Sequence, residues 1–398
     1  MRVEHHVSAF EQLLASYNGL MPLHRHLFAY FKQHKKMGSS DRRWASRYIY
    51  SYFRLGKALS KLKPLERLAI ADFLCHNTLS LISTTYLPSQ LPATEETVKL
   101  PLADKIELVQ KIFPAFKIEE VFPFDVTLSE SMVKPAFLNS FFIQPDLFIR
   151  VKETHIQAVI NQLESNHIIA QEVGTATLAL PNGTKLEQAV SDPRLYQIQD
   201  LSSQKTGAYF EPKKYDYWWD CCAASGGKSL LLHDLEPNIE LLVSDIRENS
   251  LANLQERFRL SGIKKYHVKA MDLLQNNAQI LHHYEFDGIL LDAPCSGSGT
   301  WGRTPEMLSY FEKYKVENYV KLQKAIAGNV VKYLKKDKPL IYMTCSVFKA
   351  ENEDVVDYLV ANFDLKLEKM ELIKGYEDKA DSMFVARLIK QGASDANA

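Results

Sequence analysis

The stretch FDGILLDAPCSGSGTWGRTPE, residues 286–306, decides the reading of this chain. Its first part, Gly288 to Leu291, is a short apolar run of the kind that forms a strand buried on both faces of a parallel sheet. The run stops at an acid. Asp292-Ala293-Pro294-Cys295, followed by Gly297 and Gly299, gives a loop that holds a carboxylate, a thiol and two residues free to turn sharply. In open α/β sheets ligands collect beyond the carboxyl ends of the strands, which is where this loop falls.

Outward from that loop, strands and helices alternate from Tyr215 onward. YWWDC, LLVSD, YHVKAMD, GILLD and PLIYMT read as strands, and LKLEKM and MFVARLI as closing strands. Between them come helices over Lys228–Leu235, Arg247–Ser261, about Val316–Leu334 and Glu351–Phe363. This alternation predicts right-handed βαβ crossovers and an α/β, doubly wound sheet. Upstream, FFIQPDLFIRV, IIAQEV, TLAL and YQIQD read as strands around a helix in THIQAVINQLESN, with Pro181-Asn182-Gly183 as a turn, so that 130–206 is expected to be a small α+β module. Residues 1–125 read as helical, in EQLLASYNG, Ser40–Leu59, Lys63–Ile82 and ADKIELVQKIF. The domain over 207–390 is followed by a polar tail, 391–398, that is expected to be disordered.

At 398 residues the chain is too long for one ordinary core. Its formal net charge is zero, so affinity for nucleic acid has to come from local patches. One such patch is Lys32, Lys35, Lys36, Arg42, Arg43, Arg47, Arg54, Lys57, Lys61 and Lys63, with Asp41 the one acid among them. This segregation of charge predicts an RNA-facing surface, with Lys35, Lys36, Arg42, Arg43, Arg47 and Arg54 as its main contacts. The interleaved Phe31, Trp44, Tyr48, Tyr50, Tyr52 and Phe53 are expected in the core. MRVEHHVSAFEQLL lacks the basic start and apolar centre of a signal peptide, and no run approaches the ~20 apolar residues of a membrane span. A cytoplasmic location, with no membrane partner, is the expectation. Five cysteines, an odd number without repeated pair spacing, argue against a disulfide framework and against a zinc site.

After the strand YWWDC comes Cys222-Ala223-Ala224-Ser225-Gly226-Gly227-Lys228-Ser229. A phosphate-binding P-loop would need glycine at the position of Cys222, and a dinucleotide fingerprint would need G-x-G-x-x-G. An adenosyl site fits better, because small residues let a loop backbone approach a ligand while a helix N-terminus offers free amides. Asp245 ends the second strand, where a carboxylate is placed to accept ribose hydroxyls. Asp272 follows the third strand, near where an adenine edge would lie, and Asp292 ends the fourth. Cys295 and Cys345 lie in loops just beyond strands on the same side, whereas Cys75 and Cys221 read as small core residues.

These residues resemble the RNA cytosine-5 methyltransferases of the RsmB/Sun (NSUN) type, which use S-adenosyl-L-methionine. The motif D-x-C-A-A-P-G-G-K is similar to Asp220–Lys228, D-A-P-C-S-G-x-G to Asp292–Gly299, and Y-x-T-C-S with E-N-E to Tyr342–Ser346 and Glu351–Glu353. Gln199-Asp200 with Ser203 and Phe384-Val385-Ala386-Arg387 are also similar, and Asp41-Arg42-Arg43 with Tyr50–Gly56 resembles the NusB-like helical domain of RsmB-type members. The resemblance implies a Rossmann-like methyltransferase sheet behind a ferredoxin/RRM-like module and an all-helical NusB-like domain. It implies Cys345 as nucleophile on cytosine carbon 6, Cys295 as the thiol that assists release, Asp292 on the N3 and N4 edge, and Lys228 as a positioning cation. The expected partner is RNA, ribosomal in preference to transfer RNA, with no metal and a monomeric enzyme. Ser225 stands where the family has proline, and Gly302 and Thr304 where relatives carry arginines and an asparagine. The alternatives left open are a P-loop NTPase and an inactive RNA-binding assembly factor.

Overall fold

The computed structural model describes residues 3–392, so most of the expected disordered tail lies outside the described residues. The chain divides into two compact units. One gathers the residues up to Asp125 with Val133–Gln144 and Thr300–Lys313, and the other Val126–Met132, Pro145–Gly299 and the chain from Tyr314 onward.

The first unit is helical. Its main helices are Val3–Ser16, Leu23–Gln33, Ser39–Arg54, Pro64–Cys75 and Leu102–Ile112. Phe10, Leu13, Tyr48, Ile49, Phe53 and Leu68 fill its core, and Phe31, Trp44, Tyr50 and Tyr52 pack against it, as expected for the aromatics of the basic segment. The helix expected over Ser40–Leu59 ends at Arg54, because Gly56 adopts φ +53° and a Cβ there would lie 2.0 Å from the Val121 carbonyl oxygen. The helix expected over Lys63–Ile82 breaks after Cys75 and restarts at Leu81, where the Ser80 hydroxyl accepts the Ser83 amide. Leu23–Gln33 was not among the expected helices, although Leu23, Leu27 and Tyr30 bury one face at helical spacing. The first half of the expected strand FFIQPDLFIRV instead follows a helix, Lys134–Ser140. Residues 300–313 complete this unit: Trp301 packs against Phe122, Phe124 and Phe311, and the Glu306 carboxylate accepts the Leu23 amide at 2.9 Å.

The second unit holds two sheets. In the smaller, β1 (Leu147–Val151), β2 (Gln171–Gly174), β3 (Thr177–Leu180) and β4 (Tyr196–Ile198) lie in the order β2-β3-β1-β4, all antiparallel. The helix Ile156–Ser165 buries Val159 and Leu163 in the same cluster as Ile149, Val151, Leu178 and Leu180. With the short helix Leu186–Ala189 the element order is β-α-β-β-α-β, that of a ferredoxin-like arrangement.

The larger sheet contains β5 (Tyr217–Asp220), β6 (Glu240–Asp245), β7 (Tyr266–Ala270), β8 (Gly288–Asp292), β9 (Pro339–Thr344), β10 (Leu365–Ile373) and β11 (Met383–Lys390). Their order is β10-β11-β9-β8-β5-β6-β7, parallel except for β11, which runs antiparallel to both of its neighbours. Ile289, Leu290 and Leu291 of β8 and Leu340 to Met343 of β9 are fully buried, which is why these strands are apolar throughout. Winding runs outward in one direction from β5 through β6 to β7 and in the other through β8 to β9. The switch therefore falls between β5 and β8, and a doubly wound sheet opens its ligand crevice there. Among the described residues no helix is long and apolar enough to cross a membrane.

Candidate active site

Loops leaving β5, β6, β8 and β9 bring the candidate residues to one end of the larger sheet. β5 ends at Asp220, which is wholly buried. One of its oxygens accepts the Ser229 hydroxyl at 2.6 Å, and the other has no partner among the described residues. Burial raises this carboxyl to about 7, opposed by the Ser229 hydrogen bond and reinforced by the charge of Asp292.

The loop after Asp220 turns through two left-handed residues, Ala224 at φ +47° and Gly226 at φ +83°. A Cβ at Gly226 would lie 2.8 Å from Leu254, on the helix Glu248–Ser261, so glycine there lets the loop sit against that helix. A Cβ at Gly227, the first residue of the helix Gly227–Leu235, would meet nothing within 4 Å. Ser225, in place of proline, is held by Arg257, which donates to its carbonyl at 2.9 Å and its hydroxyl at 3.2 Å.

Asp245 is engaged on both oxygens. Oδ2 accepts the Ala224 amide at 2.9 Å, and Arg247 donates to Oδ1 from its backbone and from its guanidinium. Burial pushes this carboxyl up, but Arg247 and the Ala224 amide outweigh it and leave it below the usual carboxylate range. The Met271 amide donates to the Asp245 carbonyl at 3.2 Å, which ties the exit of β7 to the end of β6. Asp272 itself accepts locally, from the Leu274 amide at 2.9 Å.

Lys228 is buried at the start of its helix and pairs with Asp292 at 3.1 Å. It also donates to the Ser203 hydroxyl at 2.7 Å. Gln199 donates to the same hydroxyl at 3.1 Å and to the Gly227 carbonyl at 3.3 Å, so the Gln199 and Ser203 side chains orient the lysine. Nothing in the spacing of these residues assigned them that task.

Cys295 and Cys345, fifty residues apart in sequence, stand with their sulfurs 3.3 Å apart, and both are free thiols. Contact with Cys345 and burial push the Cys295 thiol well above its ordinary range, so Cys295 keeps its proton within reach of the Cys345 sulfur. Cys221 is a buried thiol that donates to the Leu290 carbonyl at 3.2 Å, in line with its reading as a core residue.

The basic residues of the helical unit divide into two kinds. Lys35, Lys36 and Arg43 are exposed, and Arg42 donates to the Met37 carbonyl at 3.0 Å. Arg47 is pinned on both carboxylate oxygens of Asp72 and on Thr78. Arg54 is a correction to the expected RNA-facing set: it is 3% exposed and donates to the Phe141 carbonyl at 2.6 Å, the Gly302 carbonyl at 2.9 Å and Gln144. Three backbone or amide acceptors inside the helical core satisfy its guanidinium, and no fork is left for a phosphate.

Residues 208–393 match the model of the family described as 16S rRNA methyltransferase RsmB/F. The ribosomal RNA small subunit methyltransferase B of Shewanella oneidensis is 30% identical over 208 residues, 48% of this chain and 47% of that protein. The protein of the same name from Citrobacter koseri is 28% identical over 267 residues, 62% of this chain and 60% of that one. The chain thus spans about half the length of the curated relatives it matches first. Among solved structures, PH0851 superposes with a TM-score of 0.67 at 18% identity, covering 98% of this chain and 99% of that one. NSun6 from Pyrococcus horikoshii, solved with SFG, gives 0.56 at 17% identity, over 77% of this chain and 99% of that one. At these identities the solved structures establish the fold alone. Over residues 208–393 the chain is thus similar in sequence to the methyltransferase domain that this RsmB/F family model describes.

Proposed function

We propose that this protein methylates carbon 5 of a cytosine in RNA, with small-subunit ribosomal RNA as the favoured substrate, through a covalent cysteine adduct. The observation that carries the reading is the pair of thiols 3.3 Å apart beyond β8 and β9. Carbon 5 of cytosine is a weak nucleophile, and a thiolate added at carbon 6 turns the ring into an enamine-like species. Cys345 takes that role. Cys295, which keeps its proton, stands beside the same sulfur and assists its departure once the carbon 5 proton has been removed. The Asp292–Lys228 pair supplies a carboxylate for the N3 and N4 edge of the ring and a cation that fixes that carboxylate. A base reaches such a pocket only when unstacked.

The crevice fits S-adenosyl-L-methionine, which when bound supplies an electrophilic methyl group. Gly227 leaves its surroundings open, the loop Cys222-Ala223-Ala224-Ser225-Gly226 presents backbone beside a helix N-terminus, and Asp220 keeps one buried oxygen without a partner. Asp245 would hold the ribose hydroxyls, releasing part of its Arg247 contact, and Asp272 the adenine side. The exposed Lys35, Lys36 and Arg43, with Arg42, would grip RNA phosphates as part of a 1–125 RNA-binding domain, ahead of the 130–206 module and the 207–390 catalytic domain.

The test is methyl transfer from labelled S-adenosyl-L-methionine to ribosomal RNA lacking the modification, read by bisulfite sequencing. Cys345→Ala is expected to abolish transfer, and Cys295→Ala to accumulate an RNA adduct that survives denaturing electrophoresis. Transfer that persists in Cys345→Ala and disappears in Cys295→Ala would refute the assignment.

A further inference from the structure

Each thiol is followed by a serine, Cys295-Ser296 and Cys345-Ser346, and both serines end on one carboxylate. Glu351 is completely buried, as are Ser346 and Ser298, and Ser296 is nearly so. Glu351 Oε2 accepts the hydroxyls of Ser296 and Ser346, each at 2.5 Å. Its Oε1 accepts the Ser296 amide at 2.8 Å and the Gln323 side-chain amide at 3.2 Å. Gln323 donates in turn to the Pro294 carbonyl at 3.0 Å, so the residues on both sides of Cys295 are held through one group.

The neighbouring Asn352 does the same for Cys345. It accepts the Thr344 hydroxyl at 2.5 Å and donates to the Ser346 carbonyl at 2.9 Å. The two loops also meet directly, the Gly299 amide donating to the Cys345 carbonyl at 2.8 Å. A Cβ at Gly299 would lie 2.2 Å from the Ser382 carbonyl oxygen and 3.0 Å from the Cys345 carbonyl oxygen, so glycine lets this loop pack against both segments.

The polarity of this network follows from its centre. A carboxylate only accepts, so both serines must donate to it. Their lone pairs then receive amides, Ser346 Oγ from Phe348 at 3.0 Å and Ser296 Oγ from Ser298 at 3.3 Å. Burial pushes the Glu351 carboxyl above its ordinary range, and the four donors on its oxygens oppose that rise.

We propose that Glu351 is the positioning residue for both thiols: by holding Ser296 and Ser346 on one carboxylate it sets the spacing between the Cys295 and Cys345 sulfurs. The proposal rests on the methyltransferase reading for its purpose and on geometry for its content, so the two are tested separately.

The geometric arm uses the full chain in glutathione redox buffers, where one glutathione disulfide oxidises the dithiol to a Cys295–Cys345 disulfide and leaves two glutathione thiols. Mass spectrometry reads the linked fraction, and its midpoint gives the effective concentration of one thiol at the other. Glu351→Gln keeps the shape but places an amide donor where a serine hydroxyl must donate. It is expected to lower the effective concentration at least tenfold, and Glu351→Asp, which keeps the polarity, to recover part of the loss. In the catalytic arm Glu351→Gln lowers kcat and leaves the KM for RNA unchanged. If Glu351→Gln does not fold, Ser296→Ala and Ser346→Ala, each removing one arm, are expected to show the same fall. A wild-type chain that forms no such disulfide, or folded variants that link as readily as wild type, would overturn the proposal. A wild-type chain that links as expected and transfers no methyl group would leave the clamp standing and remove the methyltransferase reading.

Discussion

Asp220→Asn tests whether the buried carboxyl at the end of β5 is a proton-binding site of the folded state. Its carboxyl rises from 3.8 to about 7, mainly through burial, with one oxygen unpartnered. The folded chain therefore binds a proton there that the unfolded chain has already released. Stability from this group is fully present below the unfolded value and is lost as pH rises toward the folded one. A rise of this size, at about 1.4 kcal/mol for each pH unit, makes the swing on the order of 4 kcal/mol between about pH 4 and pH 7. The amide that replaces the carboxyl does not titrate, while every other group titrates in both proteins. The assay is urea unfolding at a series of pH values, followed by the fluorescence of Trp218 and Trp219, both buried in β5. The stability of wild type minus that of Asp220→Asn is expected to fall steadily across this window. A difference independent of pH, or one that grows with pH, would refute the reasoning.

The two glycines of the first loop should separate fold from ligand. Gly226→Ala, at φ +83° and against Leu254, is expected to cost about 2 kcal/mol in thermal unfolding, whereas Gly227→Ala should keep stability and weaken S-adenosyl-L-methionine binding in calorimetry. Equal loss of stability in both would contradict this division. In the helical unit, Arg54→Ala is expected to cost about 3 kcal/mol by leaving its buried carbonyl acceptors unpaired. The double change Lys35→Ala with Lys36→Ala should leave the melting temperature alone and reduce the slope of log affinity for RNA against log salt by roughly 1.5. An unchanged slope would remove these two lysines from the interface.

The larger sheet was legible because its central strands are apolar and stop at chemistry-bearing residues: Gly288–Asp292 ends at an acid, and Pro339–Thr344 is followed at once by Cys345. Local pattern also serves for helices with one buried face, and Leu23–Gln33 escapes it because two histidines and a short length blur that face. Arg54 shows where composition misleads. Ten cations in a row of helices look like one surface, and only the three-dimensional path of Phe141 and Gly302 reveals that one of them is an internal donor. The members of the Gln199–Ser203–Lys228 and Glu351–serine networks stood out only as motif residues, and their pairing was hidden for a related reason. Their members are ordinary polar residues, and the pairings that join the elements, Ser203 with Lys228 and Ser296 with Glu351, span 25 and 55 residues of sequence. The serine after each cysteine and the E-N-E run at Glu351–Glu353 were the signals available, and they needed the sheet order to be joined.

Residues 300–313 belong to the helical unit although the chain on either side of them belongs to the other. During synthesis the first 144 residues emerge long before Trp301, Leu308 and Phe311, all buried in the finished protein, and until then the helical core lacks three of its side chains. Closure of that core therefore waits on translation of most of the α/β unit. For the same reason a truncation that begins near residue 207 would carry an ownerless apolar segment, and cutting after residue 144 would leave the helices unfinished. The two units are threaded through each other in sequence and should be inherited, expressed and degraded as one object.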